Sequence, residues 1–423
     1  MEKKLFKISF TGDIMCEKPL LRAACQNGKY NFSYVFENIS SLLQESNAVV
    51  GNLETVFAGE KSGYTKELYS FNTPDNFAVE MKKAGIRYVS TANNHCLDRG
   101  IDGINRTLHL LDDLGIKHFG TARSEKERNK IVTIDIGEKK VALLSYTYGT
   151  NIEDNHIYLP KDKEYAVNML KSQKNEERKF LQTVNKDNIR SRISKRLRKF
   201  TTLEQRMKIK ARLGILHNSA KIDNIAEGDI VEENISKMKQ DVKRARGGAD
   251  IVIMCLHSGG LFNQEIGTYT EYIMRELENA GVDIVIGNHP HVVQKFRIFD
   301  SGMKTIYSLG NFSISPSSVY ILHENHPEIS VLFHVYLNQD TCKVEKISGS
   351  LLKIVEKKNG MLTVAETTKL YHKLIGGIEK KELFSDCKKV YYQLTGTSEN
   401  FEMKKEYTLW EKGQKNENGG VAL

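Results

Sequence analysis

Ile284-Val285-Ile286-Gly287-Asn288-His289-Pro290-His291-Val292-Val293-Gln294 is an apolar run that ends abruptly in two histidines flanking a proline. Its first half is too short and too β-branched for a helix, so Asp283 to Ile286 is expected to be a buried strand broken at Gly287. Pro290 disfavours the α region for His289, which predicts an extended backbone with residues two apart pointing the same way. Both imidazoles would then face one spot, and imidazole is a common ligand for divalent transition metals. Taken alone, the same residues would equally make a turn with two solvated histidines, so other stretches must decide.

Several other expected strands also run into polar groups. Leu5 to Thr11 alternates apolar and polar residues and stops at Gly12-Asp13, and Asn47 to Gly51 is followed by Asn52-Leu53-Glu54. Arg87 to Thr91 runs into Ala92-Asn93-Asn94-His95-Cys96-Leu97-Asp98-Arg99-Gly100, ahead of an amphipathic helix over Ile101 to Leu114. Ile251 to Leu256 ends at His257-Ser258-Gly259-Gly260, and Thr305 to Leu309 ends at Gly310-Asn311-Phe312. Each group has a plain alternative as a turn or a cap. Parallel strands, however, share one C-terminal edge, where open α/β sheets build their sites. Asp13, Glu54, Asn94, His257, His289 and His291 could therefore gather at one place. Carboxylate, amide and imidazole without thiolate suit a centre of two divalent ions bridged by a carboxylate, with Mn or Zn favoured over Mg by the three imidazoles. Cys16, Cys96 and Cys255 lie beside these positions but are expected to act as small apolar residues, not ligands.

Helices are expected over Phe32 to Leu43, Asp75 to Ala84 closed by Gly85, Ile230 to Arg246, Tyr269 to Ala280 closed by Gly281, and Ala365 to Leu374. Ile131 to Ile136 and Val141 to Tyr146 read as a hairpin, Val331 to Leu337 and Lys343 to Leu352 as an antiparallel pair, and the end after Tyr407 as a loose tail. The net charge of +9 is localised: residues 161 to 215 carry 17 Lys or Arg against 6 Asp or Glu, a surplus of 11 that leaves the rest near −2. Residues 160–245 thus read as a basic helical insertion. Its Ile193, Leu197 and Phe200 form a stripe among Arg192, Lys195, Arg196, Arg198 and Lys199, either a solvated helix face or a collector of anionic polymer. Six cysteines without CxxC spacing suit reduced thiols, and no signal peptide or membrane span is evident, so a cytoplasmic chain without a membrane span is expected. There is no phosphate-binding P-loop, dinucleotide fingerprint or HExxH zinc motif. The expected organisation is one domain over 1–355, interrupted by the insertion, then a helical extension and loose tail over 356–423.

As an ordered set these motifs resemble the bacterial capsule-synthesis CapA family, also called the poly-γ-glutamate capsule family, whose fold is that of the calcineurin-like metallophosphoesterases. The matching residues are Thr11-Gly12-Asp13, Asn52-Leu53-Glu54-Thr55, Ala92-Asn93-Asn94-His95 with Asp98-Arg99-Gly100, Gly287-Asn288-His289-Pro290-His291-Val292 with Gln294, and Ser308-Leu309-Gly310-Asn311-Phe312. The resemblance implies an α/β four-layer sandwich, with two mixed β-sheets packed face to face and helices outside. It implies that Asp13 and His291 hold one metal while Asn94, His257 and His289 hold the other, with Glu54 the candidate bridge. His95 would act near the leaving group as a general acid, making Asn94, His95 and Asp98 the catalytic segment. Two departures stand out. The family usually reads His, Trp, Gly, then an acidic and an aromatic residue where this chain has His257-Ser258-Gly259-Gly260-Leu261-Phe262, and Met15 stands where true metallophosphoesterases carry a histidine.

The function so implied is a metal-dependent, phosphoesterase-like hydrolase linked to capsule or anionic cell-surface polymer biosynthesis. Its substrate would be an anionic polymer or a phosphorylated small molecule, with capsule-synthesis proteins as partners and nucleic acid not expected. One alternative is a non-hydrolytic polymer-binding component of capsule synthesis. Another is a binding module whose working part is the basic insertion.

Overall fold

Along the strand Ile251–His257, Ile251, Ile253 and Cys255 face one apolar cluster while Val252, Met254 and Leu256 face another, and all six are buried. A strand covered on both faces belongs inside a layered α/β protein. The computed structural model describes residues 4–66, 68–173, 201, 203–213 and 219–413. Within them two mixed sheets pack face to face, with helices on both outer faces.

The first sheet orders its strands Leu362–Glu366, Val344–Glu356, Ile329–Asn338, Leu5–Ile14, Ala48–Leu53, Tyr88–Ser90 and Lys117–Phe119, and Tyr407–Glu411 also pairs with Val344–Glu356. The last four of that order run parallel and the other pairings are antiparallel. The second sheet orders Phe296–Ile298, Lys304–Ile306, Ile284–Asn288, Ile251–His257, Lys139–Thr147 and Val132–Ile136, parallel in its middle and antiparallel at both edges. Ile8, Phe10 and Val50 of the first sheet meet Leu143, Ile253 and Ile286 of the second in one cluster. Outside the first sheet lie the helices Asn76–Ala84 and Gly100–Asp113; outside the second lie Glu232–Arg246 and Thr268–Ala280.

The strand Ile284–Asn288 runs through Gly287 instead of breaking there. A Cβ at Gly287 would lie 1.9 Å from the Tyr307 carbonyl oxygen, so the glycine serves close packing of neighbouring strands. In register, Asn288 pairs with His257, and His257 pairs with Thr147. The two sheets are stitched where these ends meet. The Asp13 amide donates to Gly310 O at 3.0 Å and the Phe312 amide donates to Asp13 O at 2.8 Å.

Other segments depart from the sequence expectation. Phe32 to Leu43 divides into the short helices Ser33–Phe36 and Ser40–Gln44. Ala365 and Glu366 end a strand, Leu362–Glu366, and only Thr367–Lys373 is helical, because five residues pair in register with Val344–Glu356. The helix Ile378–Thr395 lies in the stretch expected as a helical extension, though no range was assigned to it there; it buries Leu383, Cys387, Val390 and Leu394. The residues just after Tyr407, expected to be a loose tail, belong to the strand Tyr407–Glu411. Glu232–Arg246, at the end of the basic stretch, packs Ile235, Met238, Val242 and Ala245 onto the second sheet. The Arg192 to Phe200 stripe lies outside the described residues.

Candidate metal centre

Asp13 is the penultimate residue of Leu5–Ile14, and Glu54 follows Ala48–Leu53 directly. Asn94, His95 and Asp98 lie between Tyr88–Ser90 and the helix Gly100–Asp113. His257 closes Ile251–His257, and His289 and His291 follow Ile284–Asn288. All eight are buried where the strand ends of both sheets converge.

His289 and His291 reach the site by a different backbone from the extended one expected. Their φ values are +102° and +59°, so the chain turns sharply on either side of Pro290. Pro290 does not impose this alone: its carbonyl accepts from the Phe262 amide at 2.8 Å, and its ring lies against Gly259, where a Cβ would come within 2.6 Å. The Ser258-Gly259-Gly260 departure therefore leaves room for the histidine turn. The two imidazole centroids are 6.1 Å apart.

Two groups of ligand atoms share one carboxylate. Glu54, His257 and His289 each offer an atom within 4.8 Å of the others, and so do Asp13, Glu54 and His291. His257 Nε2 lies 2.7 Å from Asn94 Oδ1, 3.1 Å from His289 Nδ1 and 3.5 Å from Glu54 Oε1. His291 Nδ1 lies 2.8 Å from Asn311 Oδ1 and 3.0 Å from Asp13 Oδ2, and its Nε2 is 3.8 Å from Glu54 Oε1. Asn311 is itself fixed, since its amide group donates to His291 O and Pro327 O. Asn52 donates to Asp13 Oδ1 at 2.7 Å and lies 3.2 Å from His257 Nδ1.

The electrostatics are those of a site short of positive charge. Both Glu54 carboxylate oxygens are buried and accept no hydrogen bond. Burial, then the neighbouring Asp13 carboxylate, pushes the Glu54 pKa well above its ordinary value. Burial pulls His257 down to about 3, and burial followed by the nearby His257 pulls His289 well below the usual imidazole range, so both rings present lone pairs. For Asp13, burial works toward a higher pKa, but the hydrogen bond and charge of His291 outweigh it and hold the carboxyl below its ordinary value. Lone pairs thus converge with too few hydrogens between them. A divalent cation answers that chemistry, and a donor set of carboxylate, amide and imidazole fits one.

Beside this cluster, His95 Nδ1 pairs with Asp98 Oδ2 at 2.7 Å and His95 Nε2 lies 4.0 Å from Glu54 Oε1. The Phe71 ring packs on His95 at 4.2 Å and the Tyr148 ring on His289 at 4.7 Å. The structure therefore brings together all eight residues singled out from the sequence. It adds Asn52 and Asn311, which belong to the quoted motifs but had no role assigned. It also adds Asn151 and Asn155, whose only sequence signal is their position just after Lys139–Thr147.

Residues 7–316 match the family described as "Bacterial capsule synthesis protein PGA_cap". The chain belongs to that family. It is 23% identical over 317 residues to the capsule biosynthesis protein CapA of Bacillus anthracis, covering 74% of this chain and 60% of that one. It is 22% identical over 307 residues to the PGA biosynthesis protein CapA of Bacillus subtilis, covering 72% of this chain and 62% of that one. The chain thus spans about three fifths of the length of these two relatives. A crystal structure described as a novel phosphatase from Mycoplasma pneumoniae is similar at a TM-score of 0.39 and 14% identity, over 83% of this chain and 95% of that one. For this PGA_cap member, no helix among the described residues is long and apolar enough to cross a membrane. The thiols of Cys96 and Cys255 are pushed by burial up to about 12, which leaves them poor ligands at neutral pH.

Proposed function

We propose that this PGA_cap protein is a metal-dependent, phosphoesterase-like hydrolase that acts on an anionic substrate in the synthesis of a capsule or another anionic surface polymer. The observation that carries the reading is Glu54, a fully buried carboxylate without a hydrogen-bond donor, shared by two groups of imidazole and carboxylate ligands. Asp13, Glu54 and His291 would hold one divalent ion, and Glu54, Asn94, His257 and His289 the other. Bound there, such ions supply Lewis acidity toward anionic oxygens and activate water near neutral pH. The chain's own groups do the rest. Asp98 accepts from His95 Nδ1, so it is the imidazolium form of His95 that would hand a proton, from Nε2, to a leaving oxygen. Asn52 and Asn311 hold Asp13 and His291 at fixed distances. Phe71 and Tyr148 pack on His95 and His289 and narrow the space around them.

The test is elemental analysis of protein purified without chelator, followed by assay of phosphomonoester and phosphodiester hydrolysis. Two equivalents of Mn or Zn per chain with turnover that disappears in His95→Ala support the reading. Metal without turnover on either ester class turns it toward a polymer-binding component, and protein without metal refutes it.

A further inference from the structure

We propose that Asn151 is a positioning residue: its side-chain amide selects which atom of Asn94 faces His257, and so completes one of the two ligand groups. The inference rests on reading the site as a metal centre. Asn94 turns Oδ1 toward His257 Nε2 at 2.7 Å, while its Nδ2 donates to Asn151 Oδ1 at 2.9 Å. Rotated by half a turn, the Asn94 amide would present NH2 to the ligand atoms and set its oxygen against Asn151 Oδ1, lone pair against lone pair. Without that neighbour the NH2 end loses its acceptor, and the oxygen is held only from the His257 side.

Asn151 can make the choice only because it is itself held. Its backbone amide donates to Asn94 O at 2.9 Å, and its Nδ2 lies 3.2 Å from His95 Nε2, the ring nitrogen that can accept when Nδ1 donates to Asp98. Four residues on, Asn155 donates from Nδ2 to Asp98 Oδ1 at 3.1 Å, and its backbone amide donates to Asn151 O at 2.9 Å. The single turn Ile152–Asn155 and its N-cap Asn151 thus grip Asn94, His95 and Asp98 together. The grip crosses the molecule's layers: Asn151 follows Lys139–Thr147 of the second sheet, whereas Asn94 follows Tyr88–Ser90 of the first. Ligand and orienting partner therefore come from different sheets, and the ligand group is complete only when the sheets meet.

The experiment uses the full chain, stripped with chelator and titrated with Mn2+, with bound ions counted by equilibrium dialysis. Wild type takes two ions. Asn151→Ala should keep one at wild-type affinity and hold the second about 10–100-fold more weakly, the usual effect of removing a ligand's orienting partner. Asn151→Asp retains the acceptor for Asn94 Nδ2 and should restore the second ion. A double variant removes any doubt about folding: in Asn94→Asp, both ligand oxygens are equivalent and cannot be turned the wrong way. Adding Asn151→Ala to Asn94→Asp should then cost no affinity. Full-strength binding of two ions by Asn151→Ala, failure of Asn151→Asp to restore the second, or an undiminished effect in the Asn94→Asp background would each overturn the inference while leaving the metal centre standing. A wild type that binds no Mn2+ would overturn both.

Discussion

Replacing Glu54 by Gln should change stability in opposite directions with and without metal. In chelator, wild type buries a carboxylate whose two oxygens accept nothing. A buried polar group left without a partner costs about 1–3 kcal/mol, and an amide of the same shape removes the charge. The variant should therefore be the more stable protein in chelator, melting higher by about 1 °C per kcal/mol for a chain of this length. The pH dependence has a definite sign. The folded-state pKa of Glu54 is raised above 4.5, so between that value and the folded pKa the native state holds a proton that the unfolded state has lost. Wild-type stability then falls as pH rises through that window, by up to about 1.4 kcal/mol per pH unit, and the penalty vanishes below the unfolded value. The variant's advantage should accordingly be near zero at pH 4 and grow toward pH 8. The depressed His257 and His289 are common to both proteins and cancel in the difference.

With metal the order should reverse. An ion at 100-fold excess over its Kd adds about 2.7 kcal/mol to the native state. Glu54 belongs to both ligand groups, so its loss weakens both ions. Differential scanning calorimetry of both proteins, in chelator and in excess Mn2+ at pH 4, 6 and 8, reads the whole pattern. The reasoning is refuted if Glu54→Gln melts no higher than wild type in chelator at pH 8, or if its advantage survives in Mn2+.

Further outcomes are expected. His289→Ala should lose most of the bound metal by elemental analysis, since His289 Nδ1 lies 3.1 Å from His257 Nε2 in the same ligand group; unchanged metal content would contradict the ligand set. Joint replacement of Cys16, Cys96 and Cys255 by Ala should leave metal stoichiometry unaltered, and a missing equivalent would make a thiol a ligand. Asp241→Ala should destabilise by about 3–5 kcal/mol in urea, because this buried carboxylate accepts from Tyr146 Oη at 2.6 Å and pairs with Arg128 at 3.1 Å, which would be left uncompensated; a loss under 1 kcal/mol would contradict this. Changing Arg192, Lys195, Arg196, Arg198 and Lys199 to Gln should weaken anionic-polymer binding and flatten its salt dependence while metal content stays constant, since exposed charges act within a Debye length of about 8 Å. An unchanged salt slope would confine that segment to packing.

What could be read from the sequence, and what could not, divides along the range of the interactions. Strand ends carrying a polar residue are local features, so Asp13, Glu54, Asn94, His257, His289 and His291 were legible one at a time, and the shared C-terminal edge of parallel strands brought them to one place. The conformation that delivers His289 and His291 was not legible. Pro290 restricts its neighbour locally, but the positive φ on both sides depends on Phe262 and Gly259, some thirty positions away in the chain. The same distinction covers the C-terminal part. Ala365 and Glu366 read as the beginning of a helix, yet pairing with Val344–Glu356 makes them the end of a strand. Ile378–Thr395 was the reverse case, since Leu383, Cys387, Val390 and Leu394 recur at helical spacing and were open to a periodicity argument. Asn151 marks the limit of local reading. Nothing in Tyr148-Gly149-Thr150-Asn151 distinguishes it from a turn asparagine, and its chemistry exists only because the strand before it lies in the other sheet from Asn94. An orienting residue that acts across two sheets is invisible to spacing, and only the assembled layers show it.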